Sequence, residues 1–173
     1  MTVPLIALAV VVALFILATA ALRGAQVRFR TRQWEAIRQL SPGAVVFGIY
    51  ESPSVLDQLN QLRATTVPPL PPLERERRPL AVSVSAGEIA VWCGDSPPGR
   101  VLSIPASALR SVRVVGGDST AAQATVLLEL VRHRRLIGFT ALLFEGHRGR
   151  SKAHRARMVE LEAALQSLAG QRG

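Results

Sequence analysis

The chain begins with its longest apolar run. Val3 to Leu22 contains no charged side chain, and twenty helical residues at about 1.5 Å each extend roughly 30 Å, the thickness of a bilayer's hydrocarbon core. Pro4 lies in the first turn, where a missing backbone N–H costs little. The pattern therefore predicts a transmembrane helix over residues 3–22.

A cleaved signal peptide is the alternative interpretation of the same run. Ala18-Thr19-Ala20 fits the small-x-small rule for a cleavage site. No Lys or Arg precedes the run, however, and the run is longer than the apolar core of an ordinary signal peptide. A retained anchor is favoured on these grounds, and cleavage after Ala20 stays open.

A basic juxtamembrane segment, residues 23–43, sets the expected orientation. Its arginines are Arg23, Arg28, Arg30, Arg32 and Arg38, whereas only Met1 and Thr2 precede the run. Basic residues that flank a span stay on the cytoplasmic side. We therefore expect a single-pass protein of the inner (cytoplasmic) membrane, with its N-terminus outside and its soluble domain in the cytoplasm.

The same segment predicts a helical continuation of the span. Trp34, Ile37 and Leu40 share one face of such a helix. Phe29 and Trp34 are expected at the level of the lipid headgroups, where amphipathic rings are favoured. The alternation in Val27 to Arg30 also suits a strand, so both conformations are considered for these residues.

Residues 44–66 predict a strand and a short helix. Ala44 to Tyr50 is apolar and bounded by turn residues, as a strand is. Ser52-Pro53 is typical of an N-cap followed by proline at the first helical position, and the helix is expected to end near Ala64. Residues 67–79 contain five prolines and form a Pro-rich linker, whose PxxP spacing is most simply a stiff surface connector.

From Leu80 onward the period is two residues. Larger and smaller side chains alternate: Leu80, Val82 and Val84 against Ala81, Ser83 and Ser85. Further strands are predicted in EIAVWC, VLSI, LRSVRVV, TVLLELV and LIGFTALLF, with a corner at Pro105. Ser151 to Ala169 has helical spacing, with a stripe of Met158, Leu161, Leu165 and Leu168 and with Gly170 as its C-cap.

Four segments carry a resemblance to a known fold: LAVSVSAGEIAVWCG, LSIPASALRSVRVV, TVLLELVRHRRLIGFTALLF and MVELEAALQSL. Their order and hydrophobic pattern resemble the bacterial single-pass membrane proteins with a PH-like domain. The expected fold class is α+β, with an N-terminal transmembrane helix followed by a PH-like domain of about seven antiparallel strands capped by a C-terminal helix. The resemblance covers residues 80–169, and Ala44–Tyr50 is a candidate first strand.

The resemblance implies a binding domain. Members of this fold have two nearly orthogonal sheets, bind lipids, peptides or proteins, and are usually not enzymes. Phosphoinositide-binding members carry basic residues in the first strand connection. Here the turn at Ala86-Gly87 has none, and Arg75, Arg77 and Arg78 of the linker alternate with Glu74 and Glu76. Specificity for inositol lipids is therefore not expected.

Composition adds a basic character but no catalytic motif. The chain has 21 Lys and Arg against 12 Asp and Glu, a formal charge of +9, and Lys152 is its one lysine, a bias typical of GC-rich bacterial genomes. Cys93 is the one cysteine in the chain, so an intramolecular disulfide is excluded. His133, His147 and His154 lie among arginines, which disfavour a metal ion. We predict no catalytic residue, cofactor or metal, and no enzyme.

Two basic blocks predict contact with anions. The candidate residues are Arg23, Arg28, Arg30, Arg32, Arg148, Arg150, Lys152, Arg155 and Arg157. The second block enters a helix N-terminus, where acidic side chains are preferred, so it suits an external anion such as lipid headgroups. The predicted function is a membrane-anchored cytoplasmic binding or assembly module that docks an unidentified protein partner, with basic residues facing the anionic inner leaflet. Specific nucleic-acid binding is not expected, and the alternative is an exported protein that binds cell-envelope polyanions.

Overall fold

The computed structural model describes residues 3–66, 68–74, 79–94, 97–116, 123–131, 136–143 and 152–170. Within these ranges the chain forms an N-terminal apolar helix, a seven-stranded antiparallel sheet and two further helices. The coarse architecture expected from the sequence is thereby confirmed.

Helix α1, Val3–Leu40, is a single uninterrupted helix of 38 residues. It contains a stretch long and apolar enough to cross a membrane, none of which is buried. Phe15, for example, is 70% exposed. The helix ends where Ser41 N bonds Ile37 O and Gly43 adopts a φ of +79°, a conformation that glycine reaches without strain.

The sheet is built from seven strands: β1 Val45–Ile49, β2 Leu80–Val84, β3 Glu88–Cys93, β4 Gly99–Pro105, β5 Leu109–Val115, β6 Gln123–Leu130 and β7 Leu136–Leu142. Their order is β4-β3-β2-β1-β7-β6-β5, and all neighbours are antiparallel. The predicted corner at Pro105 is confirmed, since a 3-10 turn at Ala106–Ala108 joins β4 to β5.

One face of the sheet packs against α2, Pro53–Ala64, and α3, Lys152–Gly170. Ser52 caps α2 by accepting a hydrogen bond from Val55 N at 3.3 Å, and the bounds of α2 match those predicted. The apolar faces of the two helices enter the core through Val55, Leu59, Leu62, Leu161, Leu165 and Leu168. The stripe predicted for α3 is confirmed, and Gly170 is the last residue of the helix rather than the residue after it.

The C-terminal part of α1 covers the opposite face of the sheet. Trp34 and Ile37 form a second buried cluster there with Val46, Ala81, Ala90 and Trp92. The strand side chains facing α1 are mostly small, so the helix can approach closely. Because both faces of β2 are covered, all five of its residues are buried, whereas the alternating pattern predicted a half-buried strand.

Strand β1 lies at the centre of the sheet. It pairs with β2 over four residues, but with β7 only at Gly48↔Leu142 and Ile49↔Ala141. Beyond that pairing β7 bonds a side chain of α2 instead of β1: Gly138 N donates a hydrogen bond to Gln58 Oε1 at 2.9 Å. The candidate first strand therefore belongs to the same sheet as residues 80–142.

The described part of the Pro-rich linker lies along α2. Arg63 donates from Nε to Pro71 O at 2.9 Å and from Nη1 to Val101 O. The side chain of Asn60 bonds both backbone groups of Leu73. Burial lowers the pKa of the Arg63 guanidinium from its ordinary value. Residues 67 and 75–78 of the predicted linker lie outside the described residues.

Candidate functional site

The candidate site is the place where α1 passes from full exposure to contact with the sheet. Leu22 is 66% exposed, and Gln33, eleven residues further along, is fully buried. We call the region between them, together with the chain segments that it contacts at Gly48, Tyr50–Glu51, Pro79 and Gly94, the α1–sheet junction.

Gln33 joins α1 to two strand ends. Its Nε2 donates to Pro79 O at 2.8 Å, before β2, and to Gly94 O at 2.5 Å, after β3. Both carbonyls belong to segments remote in sequence, so these bonds exist only when α1 is docked. They account for a glutamine buried among apolar residues.

Gly48 allows α1 to lie against β1. A Cβ at this position would lie 2.9 Å from Arg30 Nη1, 3.2 Å from the Trp34 ring and 3.3 Å from the Leu142 Cβ. The Trp34 ring has no room to withdraw because it is buried in the second cluster. A side chain at residue 48 would therefore push α1 away from the sheet.

Arg30 and Glu51 face each other across the junction. Arg30 Nη2 lies 4.0 Å from Glu51 Oε1, which is beyond hydrogen-bonding distance. Glu51 Oε1 accepts instead from Leu80 N at 3.3 Å. Arg30 Nη1, Gln33 Oε1 and Trp34 Nε1 are buried and make no hydrogen bond within the described part of the chain. These unpartnered polar atoms all come from one turn of α1.

A cavity of about 630 Å³ opens beside this pair. Its volume is in the range of ligand pockets. The lining residues are Ala25, Gln26, Phe29, Arg30, Tyr50, Glu51 and Pro79. The cavity thus combines one cation, one carboxylate, a phenol and an aromatic ring immediately beyond the apolar half of α1.

Burial makes Glu51 a source of pH dependence. It raises the pKa of Glu51 above the ordinary value of 4.5, while the Leu80 N–H and the Arg30 charge oppose that rise. Between 4.5 and the raised pKa the folded chain binds more protons than the unfolded chain, so stability falls as pH rises through this window. Above the window the loss is complete and constant.

We therefore expect Glu51→Gln to gain in free energy of unfolding, relative to the unmodified chain, as the pH rises from about 4 to about 7. The measurement is chemical unfolding of the full chain in detergent micelles at several pH values. Glu35→Gln is the matched control, since Glu35 is exposed on α1. A difference between chain and variant that does not change with pH would contradict this assignment.

Arg157 connects α3 to the junction. Its guanidinium carbon lies 5.7 Å from the centre of the Trp34 ring and 4.8 Å from that of Phe47. Nη2 donates to Val46 O at 2.7 Å, and Nη1 bonds Glu160 Oε2 at 2.5 Å. One half-buried arginine thus contacts α1, β1 and its own helix.

Replacing Arg157 by Ala is expected to lower the free energy of unfolding by about 2–3 kcal/mol, because two cation–π contacts are lost and the Val46 carbonyl loses a donor. Arg157→Lys keeps the charge without the planar fork, so its free energy of unfolding should lie between those of the unmodified chain and Arg157→Ala. Arg155→Ala, on an exposed position of the same helix, should change stability by less than about 0.5 kcal/mol. Equal effects of Arg157→Ala and Arg155→Ala would contradict the role given to Arg157.

The structure separates the predicted anion-contact residues. Arg23, Arg28, Arg32 and Arg155 are exposed, whereas Arg30 and Arg157 are half-buried with the partners described above. Arg148 and Arg150, and the side chain of Lys152, lie outside the described residues, as do His133, His147 and the side chain of His154. Contact with anions stays a prediction for these arginines and for Lys152.

The prediction for Trp34 is wrong. The sequence places its ring at the lipid headgroups, but the side chain is 5% exposed and packs between α1 and the sheet. Leu40, expected on the same helix face, is 57% exposed. Gln33, Gly48 and Glu51 were not anticipated, because a lone polar residue or glycine carries no local signal of a partner far along the chain.

Comparison with known proteins adds no relative. No family model matches the chain, and the comparisons with curated proteins and with solved structures found no match. Among the described residues, no group of three or more His, Cys, Asp or Glu side chains is placed to hold a metal ion. Function is therefore inferred from the geometry of the junction itself.

Proposed function

We propose that the protein is a membrane-anchored binding or assembly module. In this proposal the apolar half of α1 spans the inner membrane of a bacterium, and a PH-like domain docks a protein partner in the cytoplasm. The arginines that follow the span face the anionic inner leaflet. The continuity of α1 carries the proposal.

The continuity matters because one rigid element belongs to both parts of the molecule. Large apolar side chains are exposed at residues 8, 10–12 and 14–17, which is costly in water and favourable in lipid. Fifteen or so residues later the same helix is fastened to the sheet by Gln33, Trp34 and Ile37. A domain held in this way has a fixed distance and orientation relative to the bilayer, as an assembly module requires.

The exposed basic positions agree with the proposed orientation. Arg23, Arg28 and Arg32 lie just beyond the apolar half of α1 and are free of burial. Near an anionic leaflet each contributes about 1 kcal/mol of attraction. PH-like identity is supported by the antiparallel order of the strands and by the helix that follows β7.

Paired reporters fused to the C-terminus test the proposal. An alkaline phosphatase is active outside the cytoplasm, and a green fluorescent protein folds inside it. We expect fluorescence without phosphatase activity, in a chain that alkaline carbonate does not extract from membranes. Phosphatase activity would overturn the orientation.

The exported alternative makes a different prediction. Removal of residues 1–20 would lower the apparent mass by about 2 kDa. The proposal requires the full mass in the membrane fraction, and a shortened, carbonate-soluble chain would overturn it in favour of a protein that meets envelope polyanions.

A further inference from the structure

The cavity of the α1–sheet junction begins at the depth of the lipid headgroups and extends just beyond it if α1 spans the bilayer, so this inference rests on the proposed function. Ala25 and Phe29 follow Leu22 by three and seven residues, which is about 4.5 and 10.5 Å along a helix. The headgroup layer occupies roughly 5–8 Å on each side of the hydrocarbon core. The helix residues that line the cavity therefore begin in that layer and extend just beyond it.

We propose that this cavity binds the headgroup of a phospholipid that carries a primary ammonium beside its phosphodiester, namely phosphatidylethanolamine. Arg30 takes the phosphate and Glu51 takes the ammonium. The exposed ring of Tyr50 and the half-buried ring of Phe29 border the cationic group.

The charges of the described lining residues determine this choice. Among these residues Arg30 and Glu51 are the charged ones, and their charges sum to zero, so a zwitterionic headgroup finds an opposite charge for each of its own. A headgroup with phosphate alone would bring its negative charge close to Glu51 as well as to Arg30. A quaternary ammonium, as in phosphatidylcholine, has no N–H group to donate to the Glu51 carboxylate, and it is larger than a primary ammonium. It should therefore bind less well here.

Arg30 Nη1 is buried beside Gly48 and makes no hydrogen bond within the described part of the chain, and Nη2 is 4.0 Å from Glu51 Oε1, beyond hydrogen-bonding distance. A shift of the Arg30 side chain into the cavity would give both groups a phosphate acceptor. A guanidinium bonds phosphate through a planar fork. Glu51 is held in place by Leu80 N, so its carboxylate stays at the cavity whether or not Arg30 moves toward a ligand. Burial disfavours the charged form of the Glu51 carboxylate, so a bound cation would stabilise that charge.

The test is native mass spectrometry of the full chain in detergent micelles, with phosphatidylethanolamine, phosphatidylcholine or phosphatidylglycerol of identical acyl chains. We expect phosphatidylethanolamine to be retained several-fold more than either competitor. Glu51→Gln should lower binding of phosphatidylethanolamine about tenfold and remove its advantage over phosphatidylcholine. Arg30→Gln should weaken binding of all three lipids by a similar factor.

Matched controls come from the same helix. Arg28→Gln and Glu35→Gln make the same charge changes at exposed positions that do not line the cavity, and we expect the ratio of phosphatidylethanolamine to phosphatidylcholine to be unchanged in both. Circular dichroism and the melting transition establish that each variant is folded. If Glu51→Gln does not fold, Glu51→Asp keeps the charge with a shorter reach and should lower the ratio.

Several results would overturn the inference. These are equal retention of the three lipids, a preference for phosphatidylglycerol, or a preference for phosphatidylethanolamine that survives changes at both Arg30 and Glu51. Equal competition by soluble glycerophosphoethanolamine would overturn the assignment to a lipid. A chain that stays in carbonate-washed membranes but shows no such preference defeats this inference alone, whereas a chain released by carbonate defeats the proposed function.

Discussion

Ile37→Asp is expected to detach α1 from the sheet. Ile37 is completely buried between α1 and the outer face of the sheet. An aspartate there would place a charge without a partner among apolar side chains. The docked state should lose more than about 4 kcal/mol of stability. Because the contact holds a helix to a finished sheet, we expect undocking of α1 with the strands still formed.

The two tryptophans report the undocking directly. Trp34 and Trp92 are 5% exposed and lie in the cluster with Ile37, so their fluorescence should shift to longer wavelength in the full-length variant in micelles. Leu40→Asp makes the same kind of change one turn along the helix, at a side chain that is 57% exposed, and should cost less than about 0.5 kcal/mol. An Ile37→Asp variant with unchanged emission would show that α1 is not fastened to the sheet.

Phe47→Ala should have the second largest effect, a loss of about 3–5 kcal/mol in the free energy of unfolding. Phe47 is fully buried on the inner face of β1, where it meets the core, and it also lies under the Arg157 guanidinium. The truncation leaves a cavity at the centre of the sheet. A loss of this size is a large fraction of the 5–15 kcal/mol that stabilises a typical domain.

Chemical unfolding of the full chain in micelles, followed by tryptophan emission and circular dichroism, measures this loss. Tyr50→Ala is the matched control, because Tyr50 is an aromatic residue just past β1 that is 53% exposed. Its removal should cost less than about 1 kcal/mol. Similar losses for Phe47→Ala and Tyr50→Ala would contradict the central position of β1.

Elements governed by local signals were predictable from the sequence. Ser52 and Pro53 define the start of α2 through a side-chain cap and a preset backbone angle, and its limits agree with the structure. The stripe of Leu161, Leu165 and Leu168 likewise predicted the buried face of α3.

The site could not be predicted in the same way. Gln33 is recognisable as a site residue only through Pro79 and Gly94, which lie 46 and 61 residues further along the chain. Glu51 becomes important because Arg30 and Leu80 reach it from α1 and β2. The sequence predicts Arg157 only as a residue that contacts anions, and its contacts with Trp34 and Val46 come from elements more than a hundred residues away.

The apolar helix, the caps, the strands and their periodicity follow from the amino-acid sequence alone, because each depends on residues within a few positions of one another. What covers each face of the sheet depends on the tertiary fold. The alternation in β2 would be the same whether the second face of the strand met water or a helix. In the structure α1 covers that face. Burial, the partners of Arg30 and Arg157, and the cavity between α1 and Glu51 depend on contacts between distant segments, which a local pattern does not encode.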